Sequence, residues 1–283
     1  MKAWGFFRDE GRLPDERQIQ AALVAVGHRH VVLDREHGTV RFDRPGVELD
    51  LGGIGKGYAV DRVVELLRRR GIVSALVNLG GSSVYGLGAP PGAEAWEVGI
   101  QDPSDPGQKA VSVTLRDRAL SVSGSYARSF EKDGVTYAHV MDPRTGRPVQ
   151  GVLSVAVLSA DATGGDALDN VLFVQGLARA RAFLASRASS PATSVFFFLP
   201  APGTGYRLEC LGAPSACRSA IRVRQRGRRR RRDRARGWRI PSRRPARPGP
   251  RRRPCRAGAR TPRPASIDRA GARASPRRFG LRS

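Results

Sequence analysis

The stretch AVSVTLRDRALSVSG, residues 110–124, holds two short runs, AVSVTLRD and ALSVSG, in which Val and Leu are set among small polar residues. Runs of this length and composition read as strands, since alternate side chains then reach one face of a pleated sheet. The pattern continues downstream. YARSFEKDGVTYAHVMD (126–142) carries a hairpin signal at Lys132-Asp133-Gly134, and LSVAVLSA (153–160) is a further strand. TSVFFFLP (193–200) and YRLE (206–209) then form a last hairpin.

Working upstream, AWEVGIQDP (95–103) alternates until Pro103, and SSVYGLG (82–88) follows a glycine turn that ends the buried-type strand SALVNLGG (74–81). HVVLD (30–34), TVRF (39–42) and VELDL (47–51) read as short strands. Few helices interrupt them. One starts near Pro14, with Ile19, Ala22, Leu23 and Val26 at helical spacing, and stops at Gly27. A second runs from about Tyr58 to Arg70 with an apolar stripe of Val60, Val63, Val64 and Leu67. GGDALDNVLFVQG (164–176) and LARARAFLASRA (177–188) are two more. Many short strands with a few helices predict an α+β fold, a largely antiparallel sheet with flanking helices.

Charge divides the chain of 283 residues. Residues 221–283 hold 25 of the 50 basic residues against two acids, Asp233 and Asp268, so they carry +23 of the net +25. This segment has no Lys or Glu and little to bury, which predicts a disordered tail. RGRRRRRDRAR would suit a polyanion-binding arm, but translation of GC-rich DNA in another reading frame accounts better for so much Arg and Pro without Lys. The expected division is therefore a domain over 1–209 and a disordered, Arg/Pro-rich and spurious tail over 210–283, with nucleic-acid binding disfavoured. Cys210, Cys217 and Cys255 form no C-x-x-C pair and have no nearby His, so neither a zinc site nor a disulfide framework is expected. No run of 18 apolar residues exists and residues 1–18 lack a signal-peptide pattern, so the chain taken literally is cytoplasmic with no transmembrane segment.

Four stretches carry candidate chemistry. DLGGIGKGYAVD (50–61) sets a glycine loop with Asp50 and Lys56 before a helix, where backbone N–H groups meet anions, yet it fits neither the P-loop nor the dinucleotide pattern. In DALDN, Asp166, Asp169 and Asn170 fall at i, i+3 and i+4 of a helix, three oxygen ligands suited to a hard cation; a capping Asp166 and a solvent-facing Asp169 are the alternative. YAHVMDPRTGRPV (137–149) places His139 at a strand end, as a general base or a structural imidazole. NLGG with SVSGSY offers Asn78, Gly80, Gly81, Ser123 and Gly124 to a polar ligand; a Ser123-His139-Asp142 hydrolase lacks the G-x-S-x-G context.

Taken in order, DLGGIGKGYAVDR, ALVNLGGSSVYGLG, WEVGIQDP, AHVMDPRTGRPV and DALDNVLFVQG resemble the ApbE family, the FAD:protein FMN transferases or flavin transferases, over residues 1–209. The resemblance implies an ApbE-type, T-fold-like domain. It also implies an enzyme that uses Mg2+ to split FAD, releases AMP, and leaves FMN as a phosphoester on a Thr or Ser of an acceptor, a respiratory or redox flavoprotein. It implies a metal held by the Gly53 carbonyl, Asp166, Asp169 and Asn170, the last standing where the family usually has Thr or Ser. Asp50, Lys56 and Val140 would contact the flavin nucleotide, and His139 would be the base. A family segment upstream of Trp4, with a Met-Gly-Thr stretch, is missing, so an N-terminally truncated, periplasmic or membrane-associated protein is implied. An FAD-binding or FAD-hydrolysing remnant without transferase activity and nucleic-acid binding through the tail are the other readings.

Overall fold

Residues 1–186, 193–202 and 205–212 are described by the computed structural model. Along the chain run helix α1 (Glu16–Leu23), strands β1 (Val31–Asp34) and β2 (Thr39–Phe42), helix α2 (Gly55–Arg69), and strands β3 (Ala75–Leu79), β4 (Ser83–Leu87), β5 (Trp96–Asp102), β6 (Asp105–Leu115) and β7 (Arg118–Gly124). The hairpin β8 (Ser129–Lys132) and β9 (Val135–Ala138), the short pair β10 (Met141–Asp142) and β11 (Arg147–Pro148), and strand β12 (Ser154–Ser159) follow. Helix α3 (Ala162–Ser186) and strands β13 (Ser194–Ala201) and β14 (Gly205–Gly212) complete the order.

Six strands form the central sheet in the order β14-β13-β12-β7-β4-β3, every neighbouring pair antiparallel. The fold is thus α+β with antiparallel sheets and few helices, as the strand patterns predict. Strands β12 and β13 are buried on both faces, and their alternation assigns each face. Val155 and Val157 of β12 and Val195, Phe197 and Leu199 of β13 pack with Leu172 and Phe173 of α3. Ala156 and Leu158, with Phe196 and Phe198, pack the other way against Ile100, Val111, Val113 and Leu115 of the β5–β6 hairpin. A side chain of this size buried from water contributes roughly 1.5–3 kcal/mol, so the run Phe196-Phe197-Phe198 anchors both layers at once. On β7 the same alternation turns Leu120 and Val122 to the hairpin, and Ser121 and Ser123 to the helices.

Helix α1 begins with a capping box, in which Asp15 accepts from the Gln18 N–H and the Gln18 side chain returns to the Asp15 N–H. Its buried Ile19 joins Trp4 and Phe6, with Phe130, Tyr137 and Met141 packed around them. At the predicted hairpin Asp133 and Gly134 take φ of 52° and 71°, the paired positive values a two-residue turn needs.

Several expectations are corrected. Val47–Leu51 is not a strand: Leu49 and Leu51 are exposed, and no described strand pairs with the segment. Strand β3 is not buried, because it is the last strand of the central sheet, with Leu76 and Leu79 exposed. In α2, Val63 faces solvent while Val60 and Val64 are buried, and the helix starts at Gly55, three residues before Tyr58. The two C-terminal helical patterns are continuous except at Gly176, whose φ of 76° and ψ of 174° break the helix where the sequence places a boundary. Strand β14 continues past Glu209 to Gly212. Cys210 is disulfide-bonded, where the cysteine spacing led to no expected disulfide framework. Cys217, Cys255 and the expected disorder of the arginine-rich segment lie outside the described residues.

Candidate functional site

Helices α2 and α3 lie on one face of the sheet, and their N-terminal ends meet. Gly57 in the first turn of α2 makes the approach possible: a Cβ there would stand 2.2 Å from the Ala162 carbonyl oxygen and 2.8 Å from Asp166 Cβ, so only glycine fits. The Gly57 N–H donates to Asp166 Oδ2 at 2.9 Å, in a buried contact that joins the glycine loop to the DALDN helix.

Around this contact oxygens accumulate. Asp166 is 3% exposed and Asp169 is fully buried, which removes the alternative of a solvent-facing Asp169. Asp169 Oδ1 accepts from Ser123 Oγ at 2.8 Å and from Asn170 Nδ2 at 2.9 Å; its Oδ2 is buried without a partner among the described residues. The same Asn170 Nδ2 reaches the Asp166 carbonyl at 2.9 Å and the Gly53 carbonyl at 3.4 Å. Burial drives the Asp169 carboxyl well above the usual carboxylate range; the Ser123 hydrogen bond opposes this and the nearby Asp166 charge adds to it. Lys56 supplies the compensating charge, with Nζ 3.8 Å from Asp166 Oδ1 and 3.3 Å from the Gly52 carbonyl.

The loop and turns line the edge of this cluster. Asp50 is exposed and turns back to accept the Gly52 N–H at 2.7 Å. Asn78 accepts the Gly81 N–H at 2.9 Å, which shapes the β3–β4 turn, and Gly80 in that turn approaches the Lys56 side chain. His139 sits half-buried after β9, its Nδ1 3.1 Å from the Arg128 carbonyl. A carbonyl only accepts, so Nδ1 carries the proton and Nε2 keeps its lone pair. Burial holds His139 below the usual imidazole range, an effect outweighing its bond to Arg128; the Arg128 and Lys56 charges lower it further.

Val140 and the candidate hydrolase residues lie in separate settings. Val140 is buried (7%) in the cluster with Val152 and Phe173, its carbonyl taken by the Val149 N–H. The Ser123-His139-Asp142 hydrolase is not assembled: Ser123 donates to Asp169, His139 is turned to Arg128, and Asp142 is bound by Arg144 at 2.7 Å. Sequence reasoning missed Asp61, which accepts the Ala162 and Thr163 N–H groups at 2.8 Å each. Its distance from α3 in the chain left no local signal.

The donors are all hard oxygens, and the unpartnered Asp169 Oδ2 is a buried acceptor, so the residues fit a hard divalent cation. Among the described residues no group of three or more His, Cys, Asp and Glu could hold a metal. A cation here would have two carboxylates plus neutral oxygens, leaving coordination for water or phosphate.

Known proteins resemble the chain in sequence and in fold. The family model described as the ApbE family matches residues 1–195. An FAD:protein FMN transferase of Klebsiella pneumoniae is 37% identical over 189 residues, covering 66% of this chain and 58% of its own. One of Treponema pallidum is 38% identical over 216 residues, covering 71% and 58%. The chain thus spans less than two thirds of the length of these relatives. The crystal structure of the ApbE protein of Thermotoga maritima matches with a TM-score of 0.67 at 30% identity, covering 77% of this chain and 69% of that one. The Pseudomonas stutzeri flavinyl transferase ApbE, in its apo form, matches with a TM-score of 0.59 at 29% identity, covering 71% and 60%. Since the family model spans residues 1–195 of the 283, the chain belongs to the ApbE family.

Proposed function

We propose that the chain is a Mg2+-dependent FAD:protein FMN transferase, which splits FAD to AMP and joins FMN through a phosphoester to a Thr or Ser of an acceptor protein. The observation that carries this reading is the convergence of Asp166, Asp169, Lys56 and the Gly53 carbonyl where two helix ends meet. The activity is that named for relatives of which this chain spans 58%.

Gly53, Asp166, Asp169 and Asn170 would hold the cation. Bound Mg2+ supplies Lewis-acid stabilisation of charge developing on the diphosphate. Asn170 now points its NH2 group at the Gly53 carbonyl and Asp169, so binding through its amide oxygen requires the amide to turn over. Lys56 at the rim meets a phosphate, and Asp50 accepts from a donor of the nucleotide. Val140, next to His139 in the chain, lies against the nucleotide by family resemblance.

The transfer balances without a redox step. The acceptor hydroxyl oxygen bonds to the phosphorus on the FMN side, the bridging P–O bond breaks, and AMP leaves with the bridging oxygen. His139 takes the hydroxyl proton at Nε2, the nitrogen left basic by the Arg128 carbonyl. The acceptor is a respiratory or redox flavoprotein and the site of action is periplasmic or membrane-associated, readings supported by family resemblance. No helix among the described residues is long and apolar enough to cross a membrane.

The test is incubation of the full chain with FAD, MgCl2 and a Thr-containing acceptor peptide, read by mass spectrometry. A covalent FMN adduct that EDTA abolishes is expected. AMP release without an adduct would replace the proposal with FAD hydrolysis, and neither product would overturn it.

A further inference from the structure

Helices α2 and α3 hold each other through two reciprocal contacts. On α2, Gly57 and Asp61 are four residues apart and so share a face; on α3, Ala162 and Asp166 do the same. Asp166 receives the Gly57 N–H from the first turn of α2. In return Asp61 receives the Ala162 N–H on Oδ1 and the Thr163 N–H on Oδ2, both at 2.8 Å, and Thr163 Oγ1 donates to Oδ2 as well. Each helix thus gives a carboxylate to the otherwise unpaired N–H groups that open the other.

We infer that Asp61 is a positioning residue for the cation and diphosphate site, acting through α3. The inference rests on the reading of that site as a cation site. Three charge-assisted bonds from one half-buried carboxylate fix the first turn of α3, and Asp166 lies one turn further along. Asp166 and Asp169 are both buried on α3, so what fixes the start of that helix also fixes where the two carboxylates stand against the Gly57 amide. Among the described residues the side-chain hydrogen bonds of Asp61 go to Ala162 and Thr163, and neither is an expected cation ligand.

The experiment measures Mn2+ affinity of the full chain by electron paramagnetic resonance, beside amide hydrogen exchange at Gly57. Asp61→Ala is expected to weaken Mn2+ binding by about 10- to 100-fold, the usual effect of removing a group that orients ligands. Exchange at Gly57 should quicken while the amides of β12 stay protected. Ser74→Ala, which removes the bond from Ser74 Oγ to the Ala89 carbonyl away from this site, should lower thermal stability and leave both readouts unchanged. Should Asp61→Ala not fold, Asp61→Asn keeps the shape and one acceptor and decides the matter in the same assay. If the wild-type chain binds no Mn2+, the cation reading fails and the inference with it. If the wild type binds and the folded variant binds equally well, the inference alone is overturned.

Discussion

The Gly57 N–H donates to Asp166 Oδ2 at 2.9 Å although 109 positions separate them in the chain. This bond makes one site of two motifs, because it sets the Gly53 loop and the first turn of α2, with Lys56, against the helix carrying Asp166, Asp169 and Asn170.

Gly57→Ala tests that contact. A methyl group 2.2 Å from the Ala162 oxygen has nowhere to go but into the helix interface. Overpacking of this kind costs about 1–3 kcal/mol, and here it must also separate Asp166 from the loop. Urea unfolding should show the loss of stability, and Mn2+ titration a weaker site.

Asp169→Asn should have opposite effects on the free and the cation-loaded protein. A buried carboxylate with one oxygen unpartnered is costly, and a neutral amide is less so, by about 1–3 kcal/mol. The melting temperature measured in EDTA should therefore rise, while Mn2+ affinity falls at least about tenfold. Ser123→Ala, which removes only a donor to Oδ1, should weaken the cation less. A variant that melts lower in EDTA would contradict the account of Asp169.

Lys56→Met separates the charge of the lysine from its bulk. Its ammonium stands near Asp166 and at the Gly52 carbonyl, where a diphosphate arriving with the cation would meet it. Loss of one charge-assisted contact of about 1.5–3 kcal/mol predicts an FAD dissociation constant raised roughly ten- to hundredfold. Fluorescence titration with FAD should also show a shallower salt dependence for the variant.

His139→Gln should reduce the rate of FMN transfer by about 10²–10⁴-fold with FAD binding little changed, as expected for loss of a base alone. The pH profile carries the sign. Burial lowers the His139 pKa beneath the ordinary 6.5, so the neutral, proton-accepting form persists as pH falls through that value. The acid limb of kcat/KM should therefore have its midpoint below 6.5. An acid limb centred above 6.5, or one unchanged in the glutamine variant, would remove His139 from the role of base.

Much of the architecture is legible from residue order. The Val-, Leu- and Phe-rich runs of 110–124, 153–160 and 193–200 appear as strands of antiparallel pairs, and Asp133-Gly134 forms the turn its residues favour. These signals are local: the period of side chains along a strand, and the φ a turn residue tolerates, are set within a few residues. Val47–Leu51 fails for the same reason in reverse. Its pattern suits a strand, but a strand needs a partner, and none of the described strands supplies one.

By itself the sequence determined most of the strands and helices, and that a carboxylate-bearing helix and a glycine loop are present. Only the tertiary structure decided that Gly57 and Asp166 meet, that Ser123 donates to Asp169, and that Asp61 closes the helix pair. Strand and helix periods are written in neighbouring residues. The meeting of two helix ends depends on a long-range packing balance, in which a missing Cβ at Gly57 and two exchanged carboxylates settle the distance.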